Sequence, residues 1–220
     1  MDPKQEQHIL LWNAFKKGDW DAYTSLYHVY YRLLNNYCYK FTKDVNLIED
    51  AIHDLFTTLW TSRENLGNPP SVKNYLYKSI RNILFRKIKA ESRFFDLQEN
   101  DESIPFVVSY DHQLILNEDE KRLNQTIQDV LHKLPARQQE IIHLRFYEGL
   151  SYEEIAEIMC INVTSTYKLL YKALSNLQQS LICIGILLAE ALLRTSNDNG
   201  NPPEVSSYSL GLGLLEFSPQ

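Results

Sequence analysis

The sequence predicts an all-α protein of two helical domains joined by an acidic linker, the second a four-helix-type domain with a helix-turn-helix. Three observations carry that expectation. Only 7 glycines interrupt 220 residues and 44% of the chain is hydrophobic, as in an ordinary globular protein. Apolar side chains recur at steps of three and four, with almost no strictly alternating stretch. Charge is also segregated. Residues 1–90 hold 13 Lys and Arg against 9 Asp and Glu, whereas residues 91–122 hold 3 against 9. The net charge of -6 therefore averages over a basic first part and an acidic middle.

In the first domain, residues 1–91, Trp12, Phe15, Trp20, Tyr23, Leu26, Tyr27 and Tyr30 fall on helical spacing and are expected to form core. Gly18-Asp19 supplies a break and a cap, so two helices are expected there. Asn46 with Glu49 is then expected to cap a third helix, with Leu47, Ile48, Ala51, Ile52, Leu55, Phe56, Leu59 and Trp60 on its apolar side. Its other side carries Asp50, His53, Asp54, Thr57 and Thr58. Two aspartates and a histidine raise the question of a metal or acid-base site, yet no second cluster completes one. A protein-docking face fits better.

The loop Gly67-Asn68-Pro69-Pro70 follows, and Ser71 is placed to cap a fourth helix. From 73 to 90 that helix holds Lys73, Lys78, Arg81, Arg86, Lys87 and Lys89 and no acid, a footprint for phosphates. Tyr75 and Tyr77 are interleaved, and Asn74 and Asn82 add base-edge hydrogen bonding. The plainer alternative is a solvated basic helix with its tyrosines in the core. Residues 92–122 then lose the helical period and gain a proline and an acid cluster, which marks a boundary. Such a run is by default a solvated spacer.

The second domain, residues 123–180, contains the sharpest signal. Ser151 with Glu154 forms a capping box, so a helix starts at Tyr152, burying Ile155, Ala156 and Met159 and showing Glu153, Glu154 and Glu157 outward. The chain turns at Cys160-Ile161-Asn162, Ile161 plugging inward and Asn162 capping a helix that runs to Leu177. Two helices joined so tightly suit the DNA-binding helix-turn-helix, whose second helix enters the major groove. Its outward face would carry Thr164, Ser165, Tyr167, Lys168, Tyr171 and Lys172. An ordinary helical hairpin is the alternative for this segment alone.

Other classes find little support. Cys38, Cys160 and Cys183 are scattered, which suggests neither a disulfide framework nor zinc. The start MDPKQEQHIL has no basic n-region with an apolar stretch, so a cytoplasmic protein is expected. There is no nucleophile elbow, phosphate-binding glycine loop or metal-ligand spacing, so neither an enzyme nor a cofactor is expected.

An aromatic helix pair, an EDAIHDLFTTLW helix, a loop, a basic YLYKSIRN helix, an acidic linker, LPARQQEIIHLRF and a helix-turn-helix occur in that order. The arrangement resembles the extracytoplasmic-function group of sigma-70-type RNA polymerase sigma factors, over about residues 10–178. That resemblance implies a subunit that binds core RNA polymerase, at its clamp and flap regions, and directs promoter-specific initiation. It also implies an anti-sigma factor as a partner and no small-molecule substrate.

By the same resemblance, Asp50, His53, Asp54 and Thr57 occupy the positions that dock on the polymerase clamp. Arg63, Asn74, Tyr75, Lys78, Arg81 and Asn82 match the part that opens the minus-ten element and pockets a flipped base. The acidic linker matches the segment that threads the polymerase's basic channel. Arg137, Arg145, Thr164, Ser165, Tyr167, Lys168, Tyr171 and Lys172 match the minus-thirty-five reader. Departures are visible at Cys160, where the family often has Gly or Asn, and at Thr166, Tyr167, Ser175 and Asn176, where it tends to be more basic. The second domain should therefore hold phosphates weakly and bind duplex only when polymerase holds both domains.

The remaining segment, 181–220, is an apolar C-terminal extension of unknown role. LICIGILLAEALL is too short to span a bilayer; it can extend the last helix and pack, dock a partner or lie on a membrane surface, with packing preferred. SLGLGLLEF can return as an apolar arm over a DNA-facing surface. A stand-alone helix-turn-helix regulator that binds duplex as a dimer is the alternative function, but it leaves the basic helix and the Asp50 face unexplained.

Overall fold

The computed structural model describes residues 3–93, 104–107, 125 and 127–198, with side chains over 6–91, 104–107, 125 and 127–181. Every regular element among them is helical. In the first half these are α1 (Pro3–Lys16), α2 (Trp20–Cys38), α3 (Val45–Thr61), a 3-10 turn at Arg63–Asn65 and α4 (Val72–Arg93). The second half has α5 (127–132), α6 (Ala136–Ile142) continuing as a π turn over His143–Tyr147, α7 (Tyr152–Ile158) and α8 (Val163–Asp198). Residues 1–179 form one compact unit and 180–220 another.

Local chemistry explains most boundaries. Gly18 sits at φ +89°, where a side chain would be strained, and Asp19 then accepts hydrogen bonds from the Asp21 and Ala22 amides to open α2. Asp44, not Asn46, caps α3. Its Oδ1 accepts from the Leu47 amide at 3.1 Å, which starts the helix at Val45 and puts Asn46 inside the first turn. Ser71 Oγ accepts from the Asn74 amide at the start of α4. The Ser151–Glu154 capping box has both of its bonds, at 2.8 and 3.2 Å. Asn162 Oδ1 accepts from the Ser165 amide at 2.7 Å to cap α8, which continues well beyond Leu177.

The core of the first half is aromatic. Trp12, Phe15, Leu26 and Tyr30 are buried as the spacing predicts, together with Leu47, Ile48, Ala51, Ile52, Leu55, Phe56 and Leu59 of α3. Trp20 is the exception. It stands 59% exposed, because as the first residue of α2 it lies beyond the last turn of α1 and meets Trp60 and Tyr23 only at the rim. Trp12 Nε1 donates to Gly67 O at 3.0 Å and so ties the loop before α4 to α1.

Part of the stretch expected to be a spacer is also packed. Ile104 and Phe106 are buried, Phe106 among Tyr37, Phe41 and His143, and the Val107 amide donates to Lys40 O at 2.8 Å. In the second half Ile155, Ala156 and Met159 are buried with Ile158, and Cys160 turns the chain at φ +54°. A non-glycine residue there costs roughly 1–2 kcal/mol, the strain expected of a cysteine at this turn. Among the described residues no helix is long and apolar enough to cross a membrane. The side chains of 182–198 and all of 199–220 lie outside the described residues, and so do the expectations for an apolar arm and for the packing of LICIGILLAEALL. The threading of the acidic linker is likewise not described, apart from 104–107.

Candidate nucleic-acid interface

One face of α4 runs through Lys73, Asn74, Tyr77, Lys78, Arg81 and Asn82, at steps of three and four. Asn74, Tyr77 and Arg81 on it are buried, whereas Lys73 and Lys78 are half-buried and Asn82 is exposed. Arg81 is 3% exposed and Asn74 is 3% exposed, because the helix-turn-helix half lies across them. The Arg81 guanidinium donates to both oxygens of Glu140 on α6, Nε to Oε1 at 2.7 Å and NH2 to Oε2 at 3.1 Å, while Tyr37 of α2 donates its hydroxyl to the same Oε1 at 2.7 Å. Three helices therefore meet at one buried carboxylate. The guanidinium also sits 4.1 Å over the Phe85 ring. Burial, then the charge of Glu140, push the Tyr37 hydroxyl well up, so it stays a donor.

The rest of that face is matched in the same sense. Lys73 pairs with Glu148 at 2.8 Å, Asn74 Nδ2 donates to Glu154 Oε1 at 2.8 Å, Lys78 lies 3.8 Å from Glu157, and Asn82 Oδ1 is 4.0 Å from Cys160 Sγ. Glu154 does not point outward as its helical position suggested. One oxygen holds the Ser151 amide and the other takes Asn74, and although burial opposes it, these hydrogen bonds and Lys73 hold its carboxyl below the usual range. Glu153 and Glu157 do lie exposed.

His143 sits beside this seam, stacked with Tyr37 and Tyr147. Burial pulls it down to about 4; Glu148 opposes that fall, and Lys40 and Lys73 add to it. Its 3.7 Å approach to Glu148 is thus a contact of a neutral ring, not an ion pair, near pH 7.

The other expected residues lie in three places. Tyr75 packs edge-on against Trp12, and Arg63 stacks 4.7 Å over Trp60 while its NH1 donates to Trp60 O at 2.9 Å. Asp50, His53, Asp54 and Thr57 are all exposed along α3, Asp54 pairing with Lys87 at 2.8 Å and His53 lying 3.4 Å from the Thr57 hydroxyl. On α8, Thr164, Tyr167, Lys168, Tyr171 and Lys172 are exposed and Ser165 is half-buried. Tyr171 is 78% exposed, whereas Tyr167 stacks on Tyr152 at 3.9 Å. Arg137, Lys168 and Lys172 line a groove of about 620 Å³ beside α8, where Arg137 Nε is buried without a hydrogen-bond partner among the described residues. Arg145 is otherwise engaged, donating to Leu150 O at 2.8 Å and lying 4.9 Å over Tyr152.

Glu140 and Tyr37 were missed by sequence reasoning. Each looks ordinary on its own helix, and only their meeting at Arg81 gives them a role. The signal was faint: a carboxylate at 140 directly before the apolar pair Ile141 and Ile142, where a buried helix has little reason to carry a charge.

Comparison with known proteins covers both halves. Residues 26–94 match the family profile of sigma-70 region 2 and residues 124–177 that of sigma-70 region 4, together more than half of the chain. The chain is 24% identical over 172 residues to the ECF RNA polymerase sigma factor SigW of Bacillus subtilis (strain 168), covering 76% of this chain and 92% of SigW. It is 29% identical over 147 residues to the RNA polymerase sigma factor SigV of the same organism, covering 66% of this chain and 80% of SigV. Among solved structures, the sigma factor RpoE of Bartonella quintana, in complex with the anti-sigma factor NepR, aligns with a TM-score of 0.53 at 21% identity, over 72% of this chain and 95% of that one. CnrH, in complex with the cytosolic domain of CnrY, aligns with a TM-score of 0.52 at 16% identity, over 80% of this chain and 97% of that one. With both regions matched in order on one all-helical chain, this protein belongs to the extracytoplasmic-function group of the sigma-70 family, the sigma factors that bind core RNA polymerase and direct promoter-specific initiation.

Proposed function

We propose a division of labour among three surfaces of this sigma factor. The exposed α3 face of Asp50, His53, Asp54 and Thr57 docks on the polymerase clamp; its two carboxylates suit a basic partner surface. Arg63, Asn74, Tyr75, Lys78, Arg81 and Asn82 hold the opened minus-ten strand, the cations taking phosphates and the amides reading base edges. Arg137, Arg145, Thr164, Ser165, Tyr167, Lys168, Tyr171 and Lys172 read the minus-thirty-five duplex, with the groove of Arg137, Lys168 and Lys172 seating a phosphate. The polymerase flap then holds the second half in place.

The single observation that carries this reading is the match of both sigma regions on one chain. A stand-alone regulator accounts only for residues 123–177. The protein works by binding, not by catalysing a reaction, and works in the cytoplasm beside polymerase. An anti-sigma factor is a further partner, a reading supported by the solved sigma factor RpoE, which was captured with the anti-sigma factor NepR.

Run-off transcription with purified bacterial core polymerase tests the proposal. Transcripts should require this protein, and Asp50→Lys or Asp54→Lys should cut them at least tenfold while leaving the helix content unchanged. Footprinting of duplex DNA by the protein alone, with no transcripts, would restore the stand-alone regulator.

A further inference from the structure

The corner between α1 and α2 carries a tryptophan that packing leaves open. Trp20 is 59% exposed, although the other two tryptophans of the chain are drawn inward, Trp12 fully and Trp60 by half. The indole is propped rather than loose. Its ring meets Trp60 edge-on with centroids 4.9 Å apart and Tyr23 at 5.2 Å. Trp60 is also the ring under the Arg63 guanidinium, so one indole supports both an open aromatic face and a cation.

The same corner is fastened to the loop that follows α3. Lys16 Nζ donates to Asn68 Oδ1 at 2.8 Å, Trp12 Nε1 donates to Gly67 O at 3.0 Å, and a side chain placed at Gly18 would come within 3.7 Å of Arg63 Nε. The α1–α2 corner and the loop bearing Arg63 are therefore one surface.

We infer that Trp20 is a further residue of the single-strand interface, a platform on which one unstacked base of the opened promoter strand lies beside the part held at Arg63. This role rests on the sigma reading of Arg63.

The chemistry around the ring selects a base over other occupants. An aromatic face takes any base that has left its stack, because every base offers a flat π-surface of its own, whereas in a duplex those faces are already covered. Asp19 and Asp21 are exposed on either side of Trp20 and repel phosphates, which leaves the indole to an uncharged base. Lys16, Lys17 and Arg63 lie just beyond and suit the backbone on each side of that base. A protein partner fits less well. Trp20 is the sole exposed large aliphatic or aromatic side chain in residues 11–24 and 62–71, and a protein interface surrounds its anchors with a wider apolar core.

The test uses holoenzyme assembled from core polymerase and the full-length protein. Run-off transcription on genomic fragments supplies a promoter, and the absence of transcripts from every fragment would overturn the sigma reading and this role with it. A fluorescein-labelled copy of that promoter, mismatched so that its minus-ten element stays open, then serves as the probe. Trp20→Ala should bind it about tenfold more weakly than the unaltered protein, and Trp20→Phe, which keeps an aromatic face, within about threefold. Helix content by circular dichroism should be the same in all three. Abasic sugars placed singly along the non-template strand should find one position that weakens the unaltered holoenzyme about tenfold and leaves Trp20→Ala no weaker than before. A further measurement needs no variant: 5-iododeoxyuridine at that position should cross-link on irradiation to the peptide carrying Trp20. Unchanged binding by Trp20→Ala, a loss that adds to that of every abasic position, or a cross-link to another peptide would overturn the inference. Weaker binding of Trp20→Ala to core polymerase without DNA would make the ring a protein contact instead.

Discussion

The outer faces of α3 and α4 look alike in sequence and have opposite fates in the molecule. Each is a row of polar and charged side chains at three- and four-residue steps. Asp50, His53, Asp54 and Thr57 stay exposed, whereas Asn74 and Arg81 are buried beneath the second half. The difference lies in complementarity. The second half presents carboxylates at Glu140, Glu148, Glu154 and Glu157, which attract the basic face of α4 and would repel the acidic face of α3. A polar helical face therefore says what it can bind, but not whether a ligand from its own chain already occupies it.

That comparison breaks most sharply at Arg81. Arg81→Ala leaves Glu140 buried with Tyr37 as its remaining side-chain partner among the described residues, and loss of one member of a buried pair costs about 3–5 kcal/mol. Urea denaturation should show a clearly lower first midpoint, or separate melting of the two halves. A midpoint close to that of the unaltered protein would mean that the seam adds nothing to stability.

His143 gives a somewhat smaller effect that depends on pH. Its value of about 4 in the folded protein lies below the ordinary 6.5, so between those limits the unfolded chain binds a proton that the folded one does not. Stability from this residue is complete above about pH 6.5, falls as the solution is acidified and is exhausted below about pH 4, for a total of about 3 kcal/mol. The groups around it are Tyr37, Lys40, Lys73, Phe106, Tyr147 and Glu148. His143→Phe, which keeps the ring stack, should flatten the slope of the urea midpoint against pH over that window. An unchanged slope would assign the acid sensitivity to the carboxylates.

The α3 side should give the smallest effect. Asp54 is half exposed and its pair with Lys87 is open to water and salt, so Asp54→Ala should shift stability by less than about 0.5 kcal/mol. A loss several times larger would mean that internal contacts occupy α3 as fully as they occupy α4.

Much of this architecture could be read from local chemistry. The Ser151–Glu154 box, the Gly18-Asp19 break and the Asn162 cap depend on residues at most four apart, so their geometry is written in adjacent positions. The apolar side of α3 was legible for the same reason. Where two local solutions competed, as between Asp44 and Asn46, the side chain nearer the preceding turn won. Burial of Arg81 was not legible, because its partner Glu140 lies 59 positions away, the Tyr37 that shares that carboxylate lies 103 positions from it, and nothing in these neighbourhoods requires them to meet. Trp20 misled for the converse reason: its spacing fits a core stripe, but α1 ends before it can be covered.

Phe106 has a consequence of another kind. Its ring is seated among Tyr37, Phe41 and His143, and the Val107 amide is bonded to Lys40, so the connection between the halves is pinned partway along. The chain from Val107 to Gln125 can reach at most about 60 Å, whereas pulling the pin would measure the tether from Arg93 and let it reach about 110 Å. Because the socket includes His143 from the second half, it is complete only while the halves are together. Parting them weakens the pin, so the leash lengthens once the seam has begun to give way.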